Sequence, residues 1–329
     1  MRLLVTGGAG FIGSNIVHGL EAKGLGPVAV VDRIDSDEKA KNIAKRETVT
    51  TVAPEDLKAF LGDNADRIRG VIHMGAISAT TETRLVKIIK ANILLSRDLW
   101  SWCTERGVPY IYASSAATYG DGSLGFDDDN AIPALKALKP LNMYGWSKAQ
   151  FDIWVAERIA AGAPTPPGWA GLKFFNVFGP NEYHKGRMQS VARQVYEKAA
   201  RGETCTLFKS HNPDYPDGGQ SRDFVWVGDC TDMVLWLLDH PEASGIFNCG
   251  SGKARSFHDL AVAVYRALDL EPKIDFIPTP EDIRDKYQYF TEARMDRIRA
   301  AGYGHPGTPL EEGVRRYVQD FLHTDDPYL

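Results

Sequence analysis

Gly7-Gly8-Ala9-Gly10-Phe11-Ile12-Gly13 joins a strand pattern to a helix pattern. Before it, Arg2-Leu3-Leu4-Val5-Thr6 is a short apolar run of the kind buried on both faces of a parallel sheet. After it, residues 14–23 repeat apolar side chains at helical spacing. Glycines at 7, 10 and 13, and at 8, 10 and 13, satisfy two overlapping phosphate-loop spacings. Side chains there would keep the backbone away from a pyrophosphate and crowd the helix against the strand. Open N–H groups and the positive end of the helix dipole then favour an anion. Gly7, Gly10, Phe11, Ile12 and Gly13 are therefore candidate dinucleotide contacts. Asp32 stands 19 residues beyond Gly13, at the end of the next strand pattern, where an acid accepts from a ribose hydroxyl. Arg33 and Lys39 follow it and offer cations to a 2′-phosphate, so NADP and NAD both remain open.

Working outward, strand patterns at 28–32, 70–74 and 110–114 alternate with helical patterns at 54–61, 83–106 and 147–161. Such alternation predicts an α/β fold: a doubly wound, Rossmann-like parallel sheet with helices on both faces. The breaker cluster Ala163-Pro164-Thr165-Pro166-Pro167-Gly168 separates this half from another strand pattern at 172–177 and a helical pattern at 188–201. The turn-rich stretch 209–221 reads as a loop or a flap, with short strands expected at 224–227 and 245–248. The expected division is a dinucleotide-binding part, 1–175 plus about 222–251, and a smaller, discontinuous α/β substrate part, about 176–221 and 252–329.

The bulk properties remove several classes. A net charge of -5 gives no basic field for a phosphate backbone, which argues against nucleic-acid binding. No apolar run approaches the roughly 20 residues that span a bilayer, so no membrane partner is expected. Cys103, Cys205, Cys230 and Cys249 are far apart and form no CxxC pair, which predicts neither a disulfide framework nor a metal site. These features together read as a reduced, cytoplasmic protein.

Tyr144-Gly145-Trp146-Ser147-Lys148 puts a phenol and an ammonium at i and i+4 on one helix face. A phenol near pKa 10 is a poor base at neutral pH, and a cation one turn away favours the phenolate. Such a pair removes a hydroxyl proton as hydride leaves the same carbon. The spacing alone is common in helices. Ser115 strengthens it, because it ends the fourth strand pattern, and carboxyl ends of strands line the ligand crevice of a doubly wound sheet.

The glycine loop, Ser115 and Tyr144/Lys148 together resemble the extended short-chain dehydrogenase/reductase superfamily, whose members epimerise, dehydrate or reduce nucleotide sugars. Further segments point within it to the ADP-heptose 6-epimerases of lipopolysaccharide core synthesis. These are Tyr112–Gly120, Pro140-Leu141-Asn142-Met143-Tyr144-Gly145, Phe175-Asn176-Val177-Phe178-Gly179-Pro180, His184-Lys185-Gly186 and Arg222-Asp223-Phe224-Val225. The resemblance implies that NADP takes hydride from C6 of the heptose, and that the same cofactor returns it to the other face of a transient ketone. It implies a second acid–base group, Lys185. It also implies cofactor contacts at Gly75, Ala76, Asn92 and Val177, and substrate contacts at Ser78, Asn176, Phe208, His211, Arg222 and Tyr287. A homo-oligomer, pentameric in the family, is implied too.

There are departures. Arg187 and Gln194 stand where serine and histidine substrate contacts are expected, and Pro54 replaces a cofactor lysine. The 212–220 stretch is longer than the family's loop. Two rivals are weaker. A 4,6-dehydratase needs an Asp-Glu pair where Ala116 and Ala117 stand, and a UDP-hexose 4-epimerase is not expected to carry His184-Lys185-Gly186. A non-catalytic dinucleotide sensor predicts loss of Tyr144 or Lys148, and both are present.

Overall fold

The computed structural model describes residues 2–284 and 288–329. Its strands are β1 Arg2–Thr6, β2 Val28–Val31, β3 Val49–Val52, β4 Ile68–His73, β5 Tyr110–Ser115, β6 Trp169–Phe174, β7 Asn176–Phe178, β8 Cys205–Phe208, β9 Ser221–Trp226, β10 Gly245–Cys249, β11 Ala254–Ser256 and β12 Ile274–Ile277. Seven of them form one parallel sheet in the order β10-β6-β5-β4-β1-β2-β3. The order reverses between β1 and β4, and in such sheets the ligand crevice opens at that switch point. This is the doubly wound, Rossmann-like arrangement that the alternation predicts.

Side-chain alternation along the buried strands builds two cores. Leu3, Val5, Val28 and Val30 face the helices Phe11–Ala22 and Val227–Asp239 through Ile16, Leu20, Met233 and Val234. Leu4, Ala29 and Val31 face the other way, onto Leu57, Leu99, Trp100, Phe151 and Val155. Each face is therefore closed to water, as a parallel sheet requires.

A second region packs beside the sheet. There β7 runs parallel to β9, which pairs antiparallel with β11, and β8 pairs with β12. Its own core gathers Phe178, Val195, Leu207, Phe224, Leu260, Val264 and Tyr317. β9 belongs to this smaller sheet, while the helix after it returns to the large one. Residues 209–220 carry no helix or strand. The helix expected over 83–106 is present from Leu85 to Arg106 but widens to a π turn at Ile89–Leu94. Such turns often mark functional positions, and this one contains Asn92.

Candidate active site

The glycine loop is shaped by close backbone approach. Gly7 adopts φ +67°, and a Cβ there would lie 2.7 Å from the Gly75 nitrogen, so the loops after β1 and β4 touch. A Cβ on Gly13 would lie 2.1 Å from the Gly7 carbonyl oxygen. The helix Phe11–Ala22 then starts at Gly10 with no side-chain cap among the described residues, which leaves its first N–H groups for a ligand. The loop thus has the space and the donors that a pyrophosphate needs. Asp32 accepts from the Ala9 amide at 3.0 Å and from Lys39 Nζ at 2.8 Å.

A cavity of about 600 Å³ opens there. It brings together Gly7, Gly10, Phe11, Ile12, Gly13, Asp32, Lys39, Gly75, Ala76, Ser78, Ser115, Tyr144, Lys148, Asn176, Val177 and Lys185. Residues that lie far apart in sequence thus line one space, of a size suited to small ligands.

Local chemistry explains how Ser115, Tyr144 and Lys148 meet. Asn142 caps the Met143–Ala160 helix, its side chain accepting from the Gly145 amide at 2.8 Å. A Cβ on Gly145 would lie 2.5 Å from the Ala117 carbonyl oxygen, so only glycine lets this helix start against the turn that follows Ser115. The Tyr144 phenol and the Ser115 hydroxyl consequently face the same part of the cavity. Burial raises the Tyr144 phenol above its ordinary value, and the nearby Ser115 hydroxyl opposes that rise. Lys148, one turn on, is 2% exposed, and burial brings its ammonium from 10.5 down to about 8 against the pull of Asp152. Asp152 itself is fully buried.

Lys185 reaches the cavity from the loop after β7. Its ammonium lies 5.1 Å from the centre of the Phe11 ring. Burial lowers its pKa and Glu182 opposes the shift. The loop is stitched to the cofactor side: Asn42 donates to the Ala9 and Asn181 carbonyls at 2.9 and 3.0 Å, and Asn181 donates to Ser14 Oγ at 3.0 Å. Asn181 holds φ +74°, a strained value for a side-chain-bearing residue, within these bonds.

Other candidates sit elsewhere. Arg33 is exposed and turned to Glu55 at 3.5 Å. Asn92 lies behind the cavity wall, fully buried. Its side chain accepts from the Ile77 amide at 2.8 Å and donates to the Ile77 carbonyl and to Ser147 Oγ, both at 3.0 Å. It therefore ties the loop after β4 to the helix of Tyr144. Arg187 and Gln194 are exposed and outside the cavity lining. Phe208, His211 and Arg222 also lie outside it. The Tyr289 hydroxyl accepts from the His211 amide at 2.9 Å, and Arg222 stacks 5.4 Å from the centre of the Phe257 ring. Tyr287 lies outside the described residues. Residues that spacing did not single out also line the cavity, among them Phe175, His184, Met188, Gln288 and Thr291. His184 adjoins Lys185 and could have been inferred from it; no local pattern marks Gln288 or Thr291.

Comparison with known proteins agrees with this geometry. The model of the NAD dependent epimerase/dehydratase family matches residues 3–250. The chain is 48% identical to ADP-L-glycero-D-manno-heptose-6-epimerase of Nitratidesulfovibrio vulgaris (strain DP4) over 328 residues, covering 99% of each chain. Among solved structures, it is similar to Helicobacter pylori ADP-L-glycero-D-manno-heptose-6-epimerase, with a TM-score of 0.78, 26% identity and coverage of 97% of this chain and 95% of that one. It is similar also to Thermus thermophilus UDP-glucose 4-epimerase in complex with NAD, with a TM-score of 0.73, 28% identity and coverage of 97% and 98%. The chain therefore belongs to the NAD dependent epimerase/dehydratase family, and within it to the group of ADP-L-glycero-D-manno-heptose-6-epimerases.

Proposed function

We propose that the protein inverts C6 of an ADP-linked heptose, interconverting ADP-D-glycero-D-manno-heptose and its L-glycero epimer. The observation that carries this reading is the convergence of two proton-handling groups, Tyr144 and Lys185, on the cavity that also receives the glycine loop. A bound nicotinamide dinucleotide supplies the acceptor and donor of hydride. Tyr144, supported by Lys148, takes the C6 hydroxyl proton as the ketone forms, and Ser115 holds the oxygen. Lys185 delivers a proton to that oxygen when the ketone has turned its other face. Because the hydride returns to the carbon it left, no net oxidation occurs. Asn176 and Ser78, exposed in the cavity wall, are proposed to hold the sugar.

For the cofactor, we propose NADP. Lys39 lines the cavity beside Asp32 and offers a cation to a 2′-phosphate. The 2.8 Å Asp32–Lys39 pair favours a second reading, NAD, because it leaves a carboxylate where a ribose hydroxyl binds and engages the cation with it. In either case the dinucleotide is assigned mainly to 1–175 with about 222–251, and the sugar nucleotide to about 176–221 and 252–329. A direct assay tests the function: turnover of ADP-D-glycero-D-manno-heptose, with UDP-glucose and GDP-mannose as controls. Turnover of a control at a higher kcat/KM than the heptose would overturn the substrate assignment.

A further inference from the structure

Behind the catalytic couple lies a buried ion pair that the reaction itself does not use. Asp152 continues the Tyr144–Lys148 helix face by one more turn, at i+8 and i+4. Its carboxylate accepts from Tyr112 OH at 3.0 Å and Ser114 Oγ at 2.7 Å, and it pairs with Lys173 Nζ at 3.1 Å. Both charged side chains are essentially excluded from water, at 0% and 1% exposure. Lys173, on β6, also donates to Thr118 Oγ1 at 2.7 Å and sits 4.8 Å from the centre of the Tyr119 ring.

These contacts converge on the parts that carry the chemistry. Ser114 precedes Ser115 on β5. Thr118 belongs to the turn that Ser115 caps: Ser115 Oγ accepts from the Ala117 amide at 3.1 Å, and Thr118 Oγ1 donates to the Ser115 carbonyl at 2.8 Å. One carboxylate thus holds the Ser115 strand, the Lys173 strand and the Tyr144–Lys148 helix, and Lys173 extends its grip to the turn. Stability does not account for such a pair. Burying two ions costs several kcal/mol each, and apolar residues of similar volume commonly serve a core as well or better.

Charge offers a better account. Around Lys148 the titratable neighbours are Tyr144 and Asp152 on its own helix and His73 on β4. His73 is held neutral by burial, well below its ordinary range at about 3. Asp152 acts on Lys148 as an attracting charge. Around Asp152 stand Tyr112, Ser114, Lys173 and Lys148.

We propose that Asp152 and Lys173 form a positioning pair for the catalytic couple, in which Asp152 counterbalances the Lys148 ammonium and Lys173 fixes the Ser115 turn to the same carboxylate. The proposal rests on the reading of Tyr144 and Lys148 as the acid–base couple. Neither Asp152 nor Lys173 itself lines the cavity, so their effect passes through residues that do, Ser114 among them.

The test is the pH dependence of kcat/KM for the holoenzyme on the ADP-heptose. The parent's alkaline limb should fall near pH 8, where Lys148 loses its proton. Asp152→Asn should move that limb toward neutrality, by about one pH unit or more. Lys173→Met alone, leaving Asp152 to Lys148, should move the limb the opposite way and is the deciding variant should Asp152→Asn fail to fold; in Asp152→Asn/Lys173→Met the two displacements should largely offset. A folded Asp152→Asn, or failing that a folded Lys173→Met, whose limb stays within about 0.2 units of the parent's, with only kcat or thermal stability reduced, would show a merely structural pair and overturn the proposal. Tyr144→Phe, assayed in parallel, separates the two claims: full activity there defeats the acid–base reading itself, whereas an inactive Tyr144→Phe beside an unmoved limb defeats only the positioning pair.

Discussion

Gly13→Ala should abolish dinucleotide binding while leaving most of the fold in place. The added methyl carbon would lie 2.1 Å from the Gly7 carbonyl oxygen, 2.8 Å from its carbon and 2.9 Å from Gly8 Cα. All three are backbone atoms, so no side chain can swing aside. Restoring an ordinary contact requires roughly 1 Å of movement between loop and helix. Gly7 cannot yield freely, because it is wedged against Gly75 at φ +67°. Overpacking of this kind costs about 1–3 kcal/mol of stability. A 1 Å displacement also breaks the alignment of N–H donors on a pyrophosphate. Two lost charge-assisted bonds at about 1.5–3 kcal/mol each weaken binding by roughly 10²–10⁴-fold. The assay is titration of the apoprotein with NADP and with NAD, beside thermal unfolding. Gly62→Ala is the control: a Cβ there meets nothing within 4 Å and lies in the Leu57–Asp63 helix, so it should be neutral or slightly stabilising. A Gly13→Ala protein that binds dinucleotide within twofold of the parent would show that the close approach of Gly13 to Gly7 does not set the pyrophosphate site.

Lys148→Met should gain stability as it loses activity. The parent's folded state releases the Lys148 proton near pH 8 and the unfolded chain near 10.5, so the unfolded state binds more protons between them and stability rises with pH across that window. The buried ammonium therefore costs the fold about 3 kcal/mol below pH 8, and denaturant unfolding of Lys148→Met should show an advantage of up to that size at pH 7, shrinking by pH 10. An advantage that does not change with pH would contradict this. Lys185→Met should lower kcat by about 10²–10⁴-fold while leaving affinity for the dinucleotide near the parent's; undiminished kcat removes the second acid–base group. Asn92→Ala leaves both polar groups of Ile77 and Ser147 Oγ without their buried partner, and calorimetry should register a loss of about 2–4 kcal/mol, whereas a loss under 1 kcal/mol would show that the Asn92 bracket contributes little.

What the sequence disclosed was mostly local. The glycine loop, the acid 19 residues on and the i, i+4 phenol–ammonium pair are short-range spacings tied to one element each, and they led directly to the doubly wound parallel sheet and to the main cavity-lining residues, though not to the order of the strands. β3 was harder to see, because Val49-Thr50-Thr51-Val52 is a polar, largely exposed edge strand without an apolar run. β8 and β12 pair across some 70 residues, which no local period reveals. Side-chain direction is also absent from spacing: Arg33 and Lys39 looked equivalent, yet one turns to Glu55 and the other to Asp32. Asp152 and Lys173 escaped notice for a related reason. Charged residues in a helix and a strand ordinarily face water, and only the three-dimensional pairing shows these two buried against each other.

The proposed reaction turns on one hydride that leaves C6 and returns to it. The direct measurement uses ADP-D-glycero-D-manno-heptose deuterated at C6, incubated with the holoenzyme in ordinary water, with the product read by mass spectrometry and NMR. The expected outcome is an L-glycero product that keeps its deuterium, with no net accumulation of reduced cofactor. Product that has exchanged its C6 deuterium for solvent hydrogen would show inversion by proton removal and contradict it.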